Sequence, residues 1–226
     1  MTLPKIGITT NYENESQNVT HYYVEAIWQA GGLPIIVPML QDKEAMQAFS
    51  ELLDGLVITG GPGLTKGLIG ELPEDIDPVD EVRDRADNLI FDAMQDRPVL
   101  GICYGMQFIN AQAGGTIYAD VASQQAGTIE HSPKRGGNDH EVILDTNSRL
   151  YDIFESETLI VNTHHIQAIA EVGTNFNVVG RGSDGVIEAI ESLDGRMIGV
   201  QFHPERMIEK TLPLFQDFVN RCKRHH

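Results

Sequence analysis

Val99-Leu100-Gly101-Ile102-Cys103-Tyr104-Gly105-Met106-Gln107 is the stretch from which the fold is read. Pro98 to Ile102 is a short apolar run and predicts a strand ending at Cys103. Tyr104 to Ala113 predicts a helix, closed by Gly114-Gly115. A strand that passes straight into a helix is half of a βα unit, and the cysteine sits on the junction. Gly101 and Gly105 flank it at two residues either side. A side chain held at so sharp a turn needs small neighbours, as in the serine version of the motif. At the carboxyl end of a parallel strand and a helix N-terminus, Cys103 meets N–H groups and a dipole that favour thiolate. The rival reading is a buried structural thiol.

Outward from this turn the first half repeats the pattern. Strands are expected at Lys5 to Thr10, Pro34 to Val37 and Gly55 to Thr59, with helices at His21 to Ala30, Lys43 to Leu53 and Asp80 to Gln95. In the last of these, Val82, Ala86, Leu89, Ile90 and Ala93 recur at spacings of three and four and predict one apolar face. Such alternation implies a parallel sheet covered on both faces. Leu64 to Asp77 reads as a long surface loop. The second half changes texture, with short strands expected at His140 to Leu144, Thr158 to Val161, Asn177 to Gly180, Val186 to Ile190 and Met197 to Gln201. Asp184-Gly185 and Asp194-Gly195 mark hairpins. Glu209 to Asn220 predicts a closing amphipathic helix. With no repeat or linker, residues 1–226 are expected to form a single α/β domain.

The 226 residues are 41% hydrophobic and 22% charged, with a formal net charge of −17. So acidic a chain argues against nucleic acid and against an anionic membrane surface as partner. No apolar run is long enough to span a bilayer, and the first ten residues lack a signal peptide's apolar region, so a cytoplasmic location is expected. Only Cys103 and Cys222 are present, too few for a cysteine-rich zinc site and unlike a disulfide framework. His225-His226 at the end carries no weight.

Two further segments could serve Cys103. Ile198 to Glu205 (Ile-Gly-Val-Gln-Phe-His203-Pro204-Glu205) reads as a strand ending in a histidine, a rigid proline and a carboxylate. A thiol nucleophile needs an imidazole to move protons, and the imidazole needs a carboxylate to fix its tautomer. Thr59-Gly60-Gly61-Pro62-Gly63 follows the third strand and could present N–H groups to an oxyanion. A phosphate cradle fails in detail, because the P-loop pattern is missing and Lys66 is misplaced for it; a plain tight turn remains open.

Together the GG loop, the G-x-C-x-G turn and the terminal His-Pro-Glu resemble the class I glutamine amidotransferase-like superfamily. Arg83-Asp84-Arg85, Gly114 to Asp120, His140 and Asn162-Thr163-His164-His165-Ile166-Gln167 resemble its γ-glutamyl-γ-aminobutyrate hydrolase branch, peptidase C26. Members of that branch often carry Arg where Tyr104 stands, and Cys103 to Gln107 resembles the glutaminase part of guanosine monophosphate synthetase. The resemblance implies a three-layer, flavodoxin-like fold with a mostly parallel central sheet, helices on both faces and a small antiparallel sheet. It implies Cys103, His203 and Glu205 as a catalytic triad, with Gly61 and Tyr104 as oxyanion-hole donors. Substrate contacts would come from Gly60, Gln107, Asn162, Thr163, His164 and His165. The implied activity is hydrolysis of a γ-glutamyl amide, a C–N bond other than a peptide bond, in a small γ-glutamyl compound. The alternatives are a glutaminase subunit feeding ammonia from glutamine to a separate synthetase, and a non-enzymatic binding protein. A homodimer is compatible with either enzyme. No cofactor is needed. The adjacent His164 and His165 suggest metal, but neighbouring side chains in extended backbone point opposite ways, so no metal is expected.

Overall fold

The computed structural model describes residues 2–223; the terminal His225-His226 lies outside them. The chain order begins β1 (Lys5–Ile8), β2 (Asn11–Glu13), β3 (Ser16–Asn18), α1 (His21–Gln29), β4 (Leu33–Ile36), α2 (Lys43–Ser50) and β5 (Gly55–Ile58). It continues β6 (Leu68–Ile69), α3 (Glu81–Ala93), β7 (Val99–Ile102), α4 (Tyr104–Gln112), β8 (Thr116–Tyr118) and α5 (Val121–Gln124). The second half holds β9 (His140–Leu144), α6 (Arg149–Phe154), β10 (Thr158–Val161), β11 (Ala168–Glu171), β12 (Phe176–Gly182), β13 (Ile187–Ser192), β14 (Met197–Val200) and α7 (Ile208–Cys222).

Among the described residues twelve strands form one sheet, whose main path runs β10-β9-β12-β13-β14-β7-β5-β1-β4. From β14 to β4 every pairing is parallel; from β10 to β13, and at β13–β14, every pairing is antiparallel. β11, β8 and β6 branch from β13, and β2–β3 form a separate hairpin. The expected α/β architecture, a mostly parallel centre with an antiparallel extension, is the one observed.

Strand alternation sorts side chains into two cores. Ile6, Ile8, Val57, Leu100 and Ile102 pack with Ala26 and Ile27 of α1 and Leu214, Phe215 and Phe218 of α7. On the other face Leu56, Ile58 and Val99 pack with Met46 of α2, Ala86 and Ile90 of α3, and Phe108 of α4. The parallel strands are therefore buried on both sides, which is why they read as continuous apolar runs.

Several expectations need correction. α2 stops at Ser50 rather than Leu53. The supposed surface loop buries Leu64 fully and contributes β6 to the sheet. α6 was not foreseen; it starts at Ser148, whose side chain accepts from the Tyr151 amide, a short helix started by its cap. β2–β3 turns at Asn14 and Glu15, both at positive φ, and its strands are polar and mostly exposed, so no alternation announces them. α3 buries Arg83 and Asp87 completely, while Val82, Leu89 and Ala93 are only half-buried. The face that turns inward is partly ionic.

Candidate active site

The carboxyl ends of β5, β7 and β14 converge, and each delivers one piece of the site. β7 ends at Cys103, which caps α4 with φ 52° and ψ −105°. That is left-handed backbone on a non-glycine residue, costing on the order of 1–3 kcal/mol and kept where the surroundings over-determine it. The surroundings do so. The Cys103 amide donates to Val200 O at 2.8 Å. A Cβ on Gly105 would lie 2.0 Å from Ile58 O, and one on Gly101 2.6 Å from Gly105 O. Both flanking glycines are thus required by close backbone approach. Tyr104 opens α4, so its amide has no intrahelical acceptor. Gln201 Nε2 donates to Cys103 Sγ at 3.5 Å, and its Oε1 accepts from Gln107 Nε2 at 3.1 Å.

His203 follows β14, and Pro204 and Glu205 form a short 3₁₀ turn after it. His203 Nδ1 lies 2.7 Å from Glu205 Oε1. A carboxylate can only accept, so Nδ1 carries the hydrogen and Nε2 is left for proton transfer. Burial of the ring acts to lower its pKa, but the Cys103 charge, a hydrogen bond to Cys103 and the Glu205 carboxylate outweigh burial and carry it up to about 10. Asn162 clamps the backbone here: its Nδ2 donates to His203 O at 2.9 Å and its Oδ1 accepts from His203 N at 2.8 Å.

After β5 the Gly60-Gly61 loop rests on α3. The fully buried Arg83 donates to Thr59 O, Gly60 O and Asn11 Oδ1, and its Nε meets Asp87 Oδ2 at 3.1 Å. Its guanidinium stacks 4.3 Å from the Tyr104 ring centre. A Cβ on Gly61 would lie 2.3 Å from Arg83 Nη1, so glycine is what lets the loop lie on the guanidinium. Burial lifts the Asp87 carboxyl to about 6 against the opposing pull of Arg83.

Cys103, Gly61, Tyr104, Gln107, His164 and His165 line one cleft of about 300 Å³, together with Asp75, Asp77, Lys134 and Gln167. His164 and Gly61 also border a second hollow that reaches His203, Gly60 and Arg206. The His164 ring stands 5.7 Å from that of His203, edge to face. Burial first, then the charges of His203 and Arg206, lower its pKa. His165 turns the other way, towards Glu188, as extended backbone dictates.

Two residues expected to touch substrate lie off the cleft. Gly60 borders the second hollow, with its amide given to the Tyr23 hydroxyl at 2.9 Å. Asn162 is occupied with His203, and the Thr163 hydroxyl donates to His131 O at 2.6 Å. Neither Asn162 nor Thr163 borders the cleft. Sequence reading missed Gln201, whose only signal is a polar residue inside an apolar strand, and Tyr23, which has none. It also missed a buried cluster of His131, His140 and His165 around Glu188, four residues drawn from well-separated segments. Among the described residues no helix is long and apolar enough to cross a membrane.

Known proteins resemble this chain over nearly its whole length. The chain is 36% identical to the Schizosaccharomyces pombe protein named "Putative glutamine amidotransferase PB2B2.05", over 100% of this chain and 89% of that one. It is 29% identical to the γ-glutamyl-γ-aminobutyrate hydrolase PuuD of Escherichia coli, over 93% of this chain and 88% of that one. A Thermoplasma acidophilum crystal structure described as a "putative gmp synthase subunit a protein" superposes with a TM-score of 0.70 at 19% identity, covering 100% of this chain and 96% of that one; it shares the fold. The family model "Peptidase C26" matches residues 4–205. The chain therefore belongs to the peptidase C26 family, on the glutamine amidotransferase fold.

Proposed function

We propose that this chain is a cysteine-dependent hydrolase that cleaves the γ-glutamyl amide bond of a small γ-glutamyl compound through a thioester on Cys103. The observation that carries the reading is Cys103, held in left-handed backbone at a helix N-terminus on the cleft wall, beside a His203 that is tied to Glu205 and raised in pKa by the Cys103 charge. An imidazole tied to a carboxylate and set near a thiol at a helix N-terminus is what activation of a cysteine nucleophile calls for.

In this reading Cys103 Sγ adds to the γ-carbonyl carbon, and the carbonyl electron pair moves onto oxygen. The amides of Tyr104 and Gly61 receive that oxyanion. His203 passes its proton to the departing amine as the C–N bond breaks, leaving the thioester. Water then adds while His203, now neutral, takes a proton, and collapse of the second oxyanion releases glutamate and the thiolate. Glu205 holds the tautomer throughout. Lys134 lines the cleft, and its ammonium suits a substrate that carries a carboxylate. A leaving amine with a carboxylate, as in γ-glutamyl-γ-aminobutyrate, would meet Lys134.

The second reading is a glutaminase subunit serving a synthetase, supported by the name of the S. pombe relative and by the Cys103 to Gln107 segment. Glutamate release from glutamine, γ-glutamyl-γ-aminobutyrate and γ-glutamyl amides of putrescine and amino acids, by wild type and Cys103→Ala in parallel, decides. Brisk turnover of one non-glutamine amide, lost in the variant, is the expected result. Weak cleavage of glutamine alone supports the second reading. Equal wild-type and variant rates across the panel reject both.

A further inference from the structure

We propose that His131, His140 and Glu188 form a binding site for one divalent transition-metal cation of the zinc class, behind the wall of the candidate cleft, with His165 as a fourth ligand that moves in on binding. It is independent of the proposed hydrolysis, since it shares no residue with Cys103, His203 and Glu205.

Three ring nitrogens point at one carboxylate oxygen. His140 Nε2 lies 3.2 Å from Glu188 Oε1, His165 Nε2 3.4 Å and His131 Nδ1 3.6 Å. Zinc bonds of 2.0–2.1 Å in a tetrahedron require ligand–ligand edges of about 3.3–3.4 Å, close to the three distances measured from Glu188 Oε1. Ligand atoms of His131, His140 and Glu188 all lie within 4.8 Å of one another, and all four side chains are at most 5% exposed.

Hydrogen-bond partners on the far side of the rings fix which nitrogen faces Glu188. His131 Nε2 is 2.8 Å from Asp184 Oδ2, and a carboxylate only accepts, so Nε2 carries the hydrogen and Nδ1 presents a lone pair. The one other polar atom near that lone pair is Thr163 Oγ at 3.3 Å, whose hydrogen is already given to His131 O. His165 Nδ1 donates to Gln167 O at 3.0 Å, which leaves its Nε2 facing Glu188 Oε1 at 3.4 Å. His165 Nε2, Glu188 Oε2 and His140 Nδ1 are buried with no hydrogen-bond partner. A cation among these atoms would give the Glu188 carboxylate and the nitrogens that face it an acceptor of their lone pairs. His140 completes the set by giving up its Nε2 hydrogen on binding.

The surroundings match what a metal site requires beyond its ligands. Metal-bound histidines donate their second nitrogen to a carboxylate or a backbone carbonyl; His131 does the first with Asp184 and His165 the second with Gln167. Glu188 and Asp184 bring two buried carboxylates to the cluster, which one divalent ion balances. Imidazole and carboxylate together suit zinc and its neighbours better than calcium or magnesium. His165 and Gln167 line the cleft, which gives an entry route. It also means that a bound ion would stiffen the wall carrying His164.

The test is titration with Co²⁺, then Zn²⁺, of the full chain after chelator treatment. The background is Cys103→Ser with His225→Ala and His226→Ala, so that neither the nucleophile nor the terminal histidines bind. We expect one Co²⁺ per chain, visible bands of a four-coordinate nitrogen and oxygen site, proton release on binding and a raised Tm. Glu188→Gln and His131→Phe should each weaken binding at least 100-fold. Absence of stoichiometric binding, or binding that Glu188→Gln leaves unchanged, overturns the proposal. Should those variants fail to fold, zinc-edge X-ray absorption of the otherwise wild-type chain decides. Imidazole nitrogens without sulfur sustain the site, and a sulfur ligand refutes it by placing the ion at Cys103.

Discussion

Cys103 is held at positive φ between two glycines. Gly101 must be glycine because Gly105 O comes close within the turn, and Gly105 because Ile58 O of β5 does. Gly105→Ala, whose Cβ would strike Ile58 O at 2.0 Å, is expected to cost about 1–3 kcal/mol at the least, read as a lowered urea midpoint; an unchanged midpoint contradicts the close approach. The strand-to-helix junction at Cys103 and the His203–Glu205 pair were legible because their members lie within a few residues of one another in sequence. The His203 pKa of about 10 fixes the sign of two pH effects. The folded value lies above the ordinary 6.5, so the stability it contributes is complete below about 6.5 and lost as pH rises through 10. Urea midpoints from pH 6 to 10 should therefore fall more steeply in wild type than in Cys103→Ser, where the charge that raises His203 is gone. On the proposed roles kcat/KM should also decline as pH rises through 10, and Glu205→Gln should move that decline to lower pH. An alkaline limb that Glu205→Gln does not move counts against Glu205 as the partner of His203.

Among the elements, α3 shows where periodicity misleads. Its apolar residues do recur at helical spacing, yet the side chains carried furthest inward are Arg83 and Asp87. Nothing in helical spacing distinguishes an arginine on the solvent face from one drawn under a glycine loop. The distinction depends on Gly61, twenty-two positions away, being small enough to lie on the guanidinium. Asp87→Ala leaves Arg83 as a buried charge without its carboxylate, and a loss of about 3–5 kcal/mol is expected, measured by urea unfolding. A change below about 1 kcal/mol would mean that the carbonyls of Thr59 and Gly60 suffice for Arg83. The hairpin β2–β3 and helix α6 escaped for a different reason: one lacks any apolar alternation, and the other is six residues long and owes its start to Ser148.

Across the whole molecule, the alternation of strands and helices up to α4 made the parallel half readable, and the Asp-Gly turns made the β12–β13–β14 meander readable. What stayed hidden was the long-range pairing: β11 and β8 join through partners fifty residues apart. The histidine cluster at Glu188 forms only when β9, β13 and the segments bearing His131 and His165 are assembled. The architecture then explains why the site lies where it does. Parallel strands β5, β7 and β14 end on one edge of the sheet, so the loop, the cysteine and the histidine meet there. The central claim is that Cys103 carries the glutamyl group during turnover. It is tested most directly by acid quench within the first turnovers on the γ-glutamyl amide cleaved fastest, followed by mass analysis of the peptide containing Cys103. The account predicts that peptide bearing one glutamyl group in wild type, more of it in a variant slowed at the water step, and none in Cys103→Ala. Glutamate release at the wild-type rate from Cys103→Ala, or a glutamyl group on any other residue, would contradict it.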